Sequence, residues 1–392
     1  MSRTMTEPPR PVVPLGTVVR EWGRIGLIGF GGPPAHIALF RRLCVEERGW
    51  LSAHEFEDGI AATNLLPGPA STQLAIYCAW RLRGGLGAII GGLCFILPGL
   101  AIILALSALF LSADPPLWVL GLAAGAGAAV PAVAVSAAER LLPASWQRTG
   151  SDRAVRVRWM AYLVAGGVSA ATIGAFLVLV LIACGAIEIA IRTRGSGRPR
   201  QSLPALIPVV ALPAVTGGVA ALSWVAFKVG ALSYGGGFVI IPLMQHDAVV
   251  TYHWMTGAQF LNAVALGQVT PGPVVQTVAV VGYAASGLWG GVLAAAVAFA
   301  PSFAFVLVGA RHFDRLRANP RIQAFFVGAG SAVIGAIAGS SIPLALELAH
   351  LWQLGVLALA AVWLLALRRG VVLALVGAGV LGLVAVLAGA PS

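Results

Sequence analysis

A helix-breaking Pro67-Gly68-Pro69 stands between two apolar segments and is followed at once by Ser71, Thr72 and Gln73; it returns as Pro271-Gly272-Pro273, trailed by Gln276 and Thr277. The two copies lie 204 residues apart, and the same offset carries Phe30-Gly31-Gly32 onto Tyr234-Gly235-Gly236, Trp50 onto Trp254 and Phe56 onto Phe260. In lipid, the backbone groups freed at a break must be buried in protein or must line a polar cavity. One broken apolar unit, duplicated in register, therefore predicts a transporter with its solute site at the breaks.

Composition places those breaks in a membrane. Hydrophobic residues form 59% of the chain and charged residues only 10%, against about a quarter charged in soluble domains. Runs such as Leu86 to Leu111 are long enough to span a bilayer. The net charge of +11 comes almost wholly from arginines scattered between apolar spans, a topology signal with no basic stripe for nucleic acid. Cys44, Cys78, Cys94 and Cys184 lack a Cys-x-x-Cys pair or a His at ligand spacing, so they read as packing residues; no metal or cofactor is expected. Residues 1–14 form an arginine- and proline-containing cytoplasmic tail without the apolar core of a cleaved signal peptide.

The first repeat is expected over 15–192. Its opening block, Leu15 to Cys44, is interrupted at Gly29-Phe30-Gly31-Gly32-Pro33-Pro34 and has arginines on both sides, so it reads as two half-helices folding in and back out. Ser52-Ala53-His54-Glu55 has the pattern of a capping box opening the next helix. That helix breaks at Pro67-Gly68-Pro69, resumes at Ala70 and ends beside Arg81 and Arg83, a second hairpin candidate. Four spans follow, near Gly85–Leu111, Leu117–Leu141, Trp159–Ala170 and Thr172–Ile191. Residues 193–218 form a basic loop and a Pro-rich apolar linker, and 219–392 repeat the unit.

Loop charges run opposite in the two copies. Arg41, Arg42 and Arg48 correspond to the Lys- and Arg-free 245–253, whereas the loop at Asp114 corresponds to Arg311, Arg315, Arg317 and Arg321. Because basic loops mark the cytoplasmic side, the second half is expected upside down, with Leu203–Val219 as the extra crossing. The fold class is thus an all-α polytopic membrane protein of two inverted-topology repeats with broken helices, re-entrant or crossing.

Restarting helices expose free N–H groups and the positive end of a dipole, which suits an anion. Around the first breaks the candidates are Phe30, Gly31, Gly32, Pro33, Asn64, Pro67, Gly68, Pro69, Ser71 and Gln73. In the second half they are Gly235, Gly236, Pro271, Gly272, Pro273 and Thr277. Lys228, the single lysine, falls in an apolar run and matches Arg24 at the repeat offset; a cation there is costly to bury and is expected to face a partner or an anionic substrate. Glu55, Glu57 and Asp58 match the uncharged Gln259, Leu261 and Asn262; a solvated helix end explains this at least as well as proton coupling. His36, matched by Ile240, has only a weak claim to a coupling role.

Phe30-Gly31-Gly32-Pro33, Trp50-Leu51, Pro67-Gly68-Pro69 with Gln73, and Arg81, Arg83-Gly84-Gly85-Leu86-Gly87 and Pro98 together resemble the signature of the chromate ion transporter family, in its long two-domain form. The resemblance implies a multi-pass carrier of the bacterial inner membrane that expels chromate, confers resistance and uses the proton motive force. It also implies a place for sulfate-like oxoanions, with sulfate uptake as the alternative direction. The substrate oxoanion, the bilayer and protons are the partners it implies, and a homo-oligomer stays open. An integral-membrane enzyme has little support: there is no Walker sequence, His-x-x-x-His pair, nucleophile elbow or Cys pair. A channel is disfavoured by the inverted repeat.

Overall fold

The computed structural model describes residues 13–64, 66, 68–172, 176–195, 217–233, 238, 240–309 and 319–391. Pro67, Gly235, Gly236 and most of the expected crossing at 203–219 lie outside them. Among the described residues the secondary structure is wholly helical. The first half holds α1 (Leu15–Ile28), α2 (Pro33–Arg41), α3 (Ala53–Thr63), α4 (Ala70–Phe110), α5 (Leu117–Gln147), α6 (Arg153–Thr172) and α7 (Leu177–Gly195). The second holds α8 (Gly218–Leu232), α9 (Ile240–Gln245), α10 (Gly257–Val269), α11 (Thr277–Gly309), α12 (Pro320–Leu346), α13 (Leu351–Ala361) and α14 (Val371–Leu387). By length and composition α4, α5, α12 and the helix ending at Gly309 can cross a membrane. The third expected span is longer than its apolar core, because α6 extends back to Arg153 through the basic segment.

The breaks of the first half are hairpins. The ring of Trp22 of α1 packs at a tilt against Phe40 of α2, and Gly29 abuts His36, so the chain folds back on itself at the Gly-Gly break. A Cβ at Gly59 of α3 would meet the Tyr77 ring of α4, and Glu55 pairs with Arg81, so α3 and the start of α4 are likewise antiparallel. Ser52 and Glu55 form the expected capping box, with mutual bonds of 3.0 and 3.1 Å, and Thr256 with Gln259 forms its counterpart. Arg83 and Gly84 leave helical geometry inside α4, at φ −141° and +61°, so the helix kinks where the arginines end the hairpin. Ser286 and Gly287 do the same in α11.

That second kink corrects the register. It lies 203 residues after the first, as does Pro301 after Pro98, so the copies are not uniformly 204 apart. The lost residue is absorbed just behind the second Pro-Gly-Pro, where Val274–Gln276 winds as a 3-10 turn before α11 begins; at three residues per turn this is tighter than an α-helix. Gln276 thereby takes the place of Gln73, and Ala284 that of Arg81.

The halves are inverted. A Cβ at Gly92 of α4 would strike Phe303 of α11, and one at Gly291 of α11 would strike Leu104 of α4. Rising numbers on one helix meet falling numbers on the other, so α4 and α11 pack antiparallel. Since they are equivalent elements, the pseudo-two-fold relating them runs across their axes. Outside this pair, α12 packs on α6 and α7, and α5 on α13 and α14. Small residues let backbones approach there: a Cβ at Gly166 would clash with the Ala332 carbonyl and one at Gly125 with that of Ala378. Glu188 of α7, 1% exposed, accepts from Arg158 at 2.9 and 3.2 Å and from Arg192 at 2.8 Å, which pins α7 to α6 at their basic ends.

Candidate functional site

The breaks of the two halves converge on one another. Gly272 N donates to Gly29 O at 2.9 Å, so the second Pro-Gly-Pro loop is bonded to the first Gly-Gly break. A Cβ on Gly32, at φ +73°, would sit 3.7 Å from the Val274 side chain. A Cβ on Gly68, at φ +116°, would sit 3.3 Å from both the Gly230 carbonyl and Ser302 Oγ. Gly99 of α4 and Ser302 of α11 hold equivalent positions, and each faces the other half's Pro-Gly-Pro: Gly99 lies against the Pro271 carbonyl and Gln276. Ser302 adds a hydroxyl at the first break; it is fully buried and has no hydrogen-bond partner among the described residues.

A cavity of about 290 Å³ opens at this junction, near the lower limit of the ~300–1,000 Å³ typical of ligand pockets and so suited to a small solute. Of the residues singled out in the sequence, Gly31, Pro33, Asn64 and Gly68 line it. Thr63, Arg140, Arg148 and Gln268 line it too, opposite Gly330, Val333 and Ile334 of α12. Asn64 and Gln268 are equivalent positions ahead of the two Pro-Gly-Pro motifs, so the cavity straddles the pseudo-two-fold. Its other end is framed by the C-terminal part of α5 and by Val371 and Val372 at the start of α14, beside the basic segments Arg148–Arg158 and Arg368-Arg369.

The remaining candidates sit behind this wall or away from it. Ser71 is buried and lies 3.2 Å from His36 Nδ1, whose Nε2 donates to Gly29 O at 2.9 Å. His36 thus bridges the two breaks of the first half. Pro69 precedes α4, and the buried Gln73 carboxamide packs beneath Gly68. Pro273 leads into the 3-10 turn, and Thr277 Oγ1 donates to the Val274 carbonyl at 2.8 Å. Phe30 is exposed. Arg24 pairs with Glu21 at 3.0 Å, and the same carboxylate also meets Arg20 and Arg48. Lys228 pairs with Asp247 and lies 5.7 Å from the Trp224 ring. Neither repeat-related cation borders the cavity.

Arg140 and Gln268 escaped the sequence reading for different reasons. Arg140 falls at the end of an apparently ordinary span, and nothing local shows which helix faces it. Gln268 had a usable signal, its register with Asn64. The two halves also differ in one packing contact: a Cβ at Gly127 of α5 would meet Leu261 and Asn262 of α10, whereas the equivalent Gly330 of α12 faces the cavity.

Broken helices from two inverted halves that enclose a solute-sized cavity define a multi-pass membrane transporter. The chain belongs to the chromate transporter family, whose model matches residues 16–189 and 220–383, one match in each repeat. It is 34% identical over 343 residues to a chromate transport protein of Cupriavidus metallidurans, covering 86% of this chain and 84% of that one. It is 31% identical over 342 residues to a chromate transport protein of Pseudomonas aeruginosa, covering 82% and 79%. A probable chromate transport protein of Synechococcus elongatus is 29% identical over 389 residues, covering 95% and 96%. No solved structure matches the chain.

Proposed function

We propose that this protein exports chromate, or a tetrahedral oxoanion of the same kind, from the cytoplasm across the bacterial inner membrane, drawing on the proton gradient, and so confers chromate resistance. The observation that carries the reading is the cavity between the inverted halves. It reaches the breaks at one end and opens at the other beside arginine-rich segments, which belong on the cytoplasmic side. An anion arriving from the cytoplasm meets positive charge first, then the backbone of Gly31 and Gly68 and the side chain of Asn64. Ser71, Gln73 and Thr277 hold the restarting helices that supply N–H groups. The electrical part of the proton gradient suits this direction, since an inside-negative potential favours outward movement of a dianion by about 2.3 kcal/mol per charge per 100 mV.

An unequal contact between the halves supports alternating access. With α10 seated on α5 and α3 standing away from α12, the chain is open to the basic side; exchange of those two contacts would open the other. The test is uptake of labelled chromate into everted membrane vesicles, with and without an uncoupler, and with sulfate as competitor. Uptake that collapses with the uncoupler supports driven export. Chromate accumulation only in right-side-out vesicles would overturn the direction, and none in either would overturn the substrate.

A further inference from the structure

We propose that Arg140 and Gln268 form the anion-recognition pair of the cavity, and that Arg140 makes it select dianions over monoanions; this rests on the oxoanion reading above. The described lining carries two guanidinium groups, Arg140 and Arg148, and no carboxylate. Arg140 has no ion-pair partner among the described residues, although its neighbour Glu139 pairs with Arg368 at 3.2 Å. The two repeat-related cations differ in this respect, since Arg24 and Lys228 are held by Glu21 and Asp247. Gln268 is only 7% exposed, lines the same cavity, and its Nε2 has no hydrogen-bond partner among the described residues. A buried donor left without an acceptor is unfavourable, and native chains keep few of them. An oxoanion oxygen in the cavity would satisfy it.

The chemistry of the two groups is complementary. A guanidinium presents planar paired donors that match two oxygens of a tetrahedral oxoanion, and it stays charged at every physiological pH. A carboxamide N–H adds a directional bond without charge. Leu141, Phe238, Val333 and Ile334 form the apolar part of the lining and leave the charge of the site to the exposed Arg140 and Arg148; at one distance a dianion gains twice the Coulomb attraction of a monoanion. At the 203-residue offset that holds beyond the kink, Arg140 corresponds to Pro343, so the second repeat does not duplicate this charge.

The test is equilibrium binding of labelled sulfate to the purified full-length chain in nanodiscs, with chromate and nitrate as competitors. We compare the native chain with Arg140→Gln, Arg140→Lys and Gln268→Leu, each checked for monodisperse elution. Native protein should bind sulfate and release it to chromate far more readily than to nitrate. Arg140→Gln should weaken dianion binding at least about tenfold and flatten both the valence preference and the salt dependence. Arg140→Lys should retain the salt dependence at reduced affinity, and Gln268→Leu should lose a few-fold in affinity with the preference intact. Native affinity and preference in Arg140→Gln would overturn the pair while leaving the oxoanion reading standing. A native chain that binds neither sulfate nor chromate would remove both.

Discussion

His36 shows how a single side chain can organise a broken-helix site. Its ring is fully buried, lies edge-on to Phe95, and reaches both Gly29 O and Ser71 Oγ. Replacing it with Phe would keep the volume and remove both polar contacts, leaving Ser71 Oγ buried without a partner. The expected cost is about 1–3 kcal/mol, read as a lower thermal midpoint in detergent; an unchanged midpoint would show that the two breaks hold without the bridge. The residue scale also separates what was legible from what was not. Ser52 and Glu55 could be read as a capping box because that motif is local. Arg24 and Lys228 stood out as repeat-related cations, but their acidic neighbours Glu21 and Asp247 are brought to them by helix and hairpin geometry. Arg140 carries no local mark at all.

Among the elements, the unequal pair is α10 on α5 against α3 near α12. Glu347, just past the end of α12, lies so close to Gly257 at the start of α10 that a Cβ on the glycine would collide with the carboxylate. A negative charge at a helix N-terminus is stabilising, by about 0.3–1 kcal/mol at exposed sites. The equivalent positions in the first half are Ala144 and Ala53, which have nothing comparable. Glu347 therefore favours closure on the side away from the arginines. Glu347→Ala should raise labelling of a cysteine placed at Asn262 by a membrane-impermeant reagent applied from that side, roughly two- to fivefold for this energy range. Equal labelling would show that the contact does not bias the closed face.

For the whole molecule, the strongest consequence of the inverted repeat is that transport requires α10 and α5 to separate. A Cβ at Gly127 would lie 3.4 Å from the Leu261 Cβ, close to the ~3.5–4.5 Å of disulfides. In a chain with its native cysteines replaced and Asn262→Ala to make room, Gly127→Cys with Leu261→Cys should cross-link on oxidation. Cross-linking should stop chromate flux while leaving anion binding from the arginine side intact, and reduction should restore flux. Undiminished flux in the cross-linked chain would exclude this motion. Hydropathy, Pro-Gly punctuation and loop charge are one-dimensional signals, and they made the membrane class, the duplication, the places where helices break and the opposed orientation of the halves legible in advance. The packed chain was needed to show that the second copy slips by one residue through a 3-10 turn, that the breaks of opposite halves bond to each other, and that Arg140 and Gln268 border the cavity. Those outcomes depend on which surfaces of distant helices meet, and packing across an interval of 128 residues leaves no trace in the local pattern around either residue.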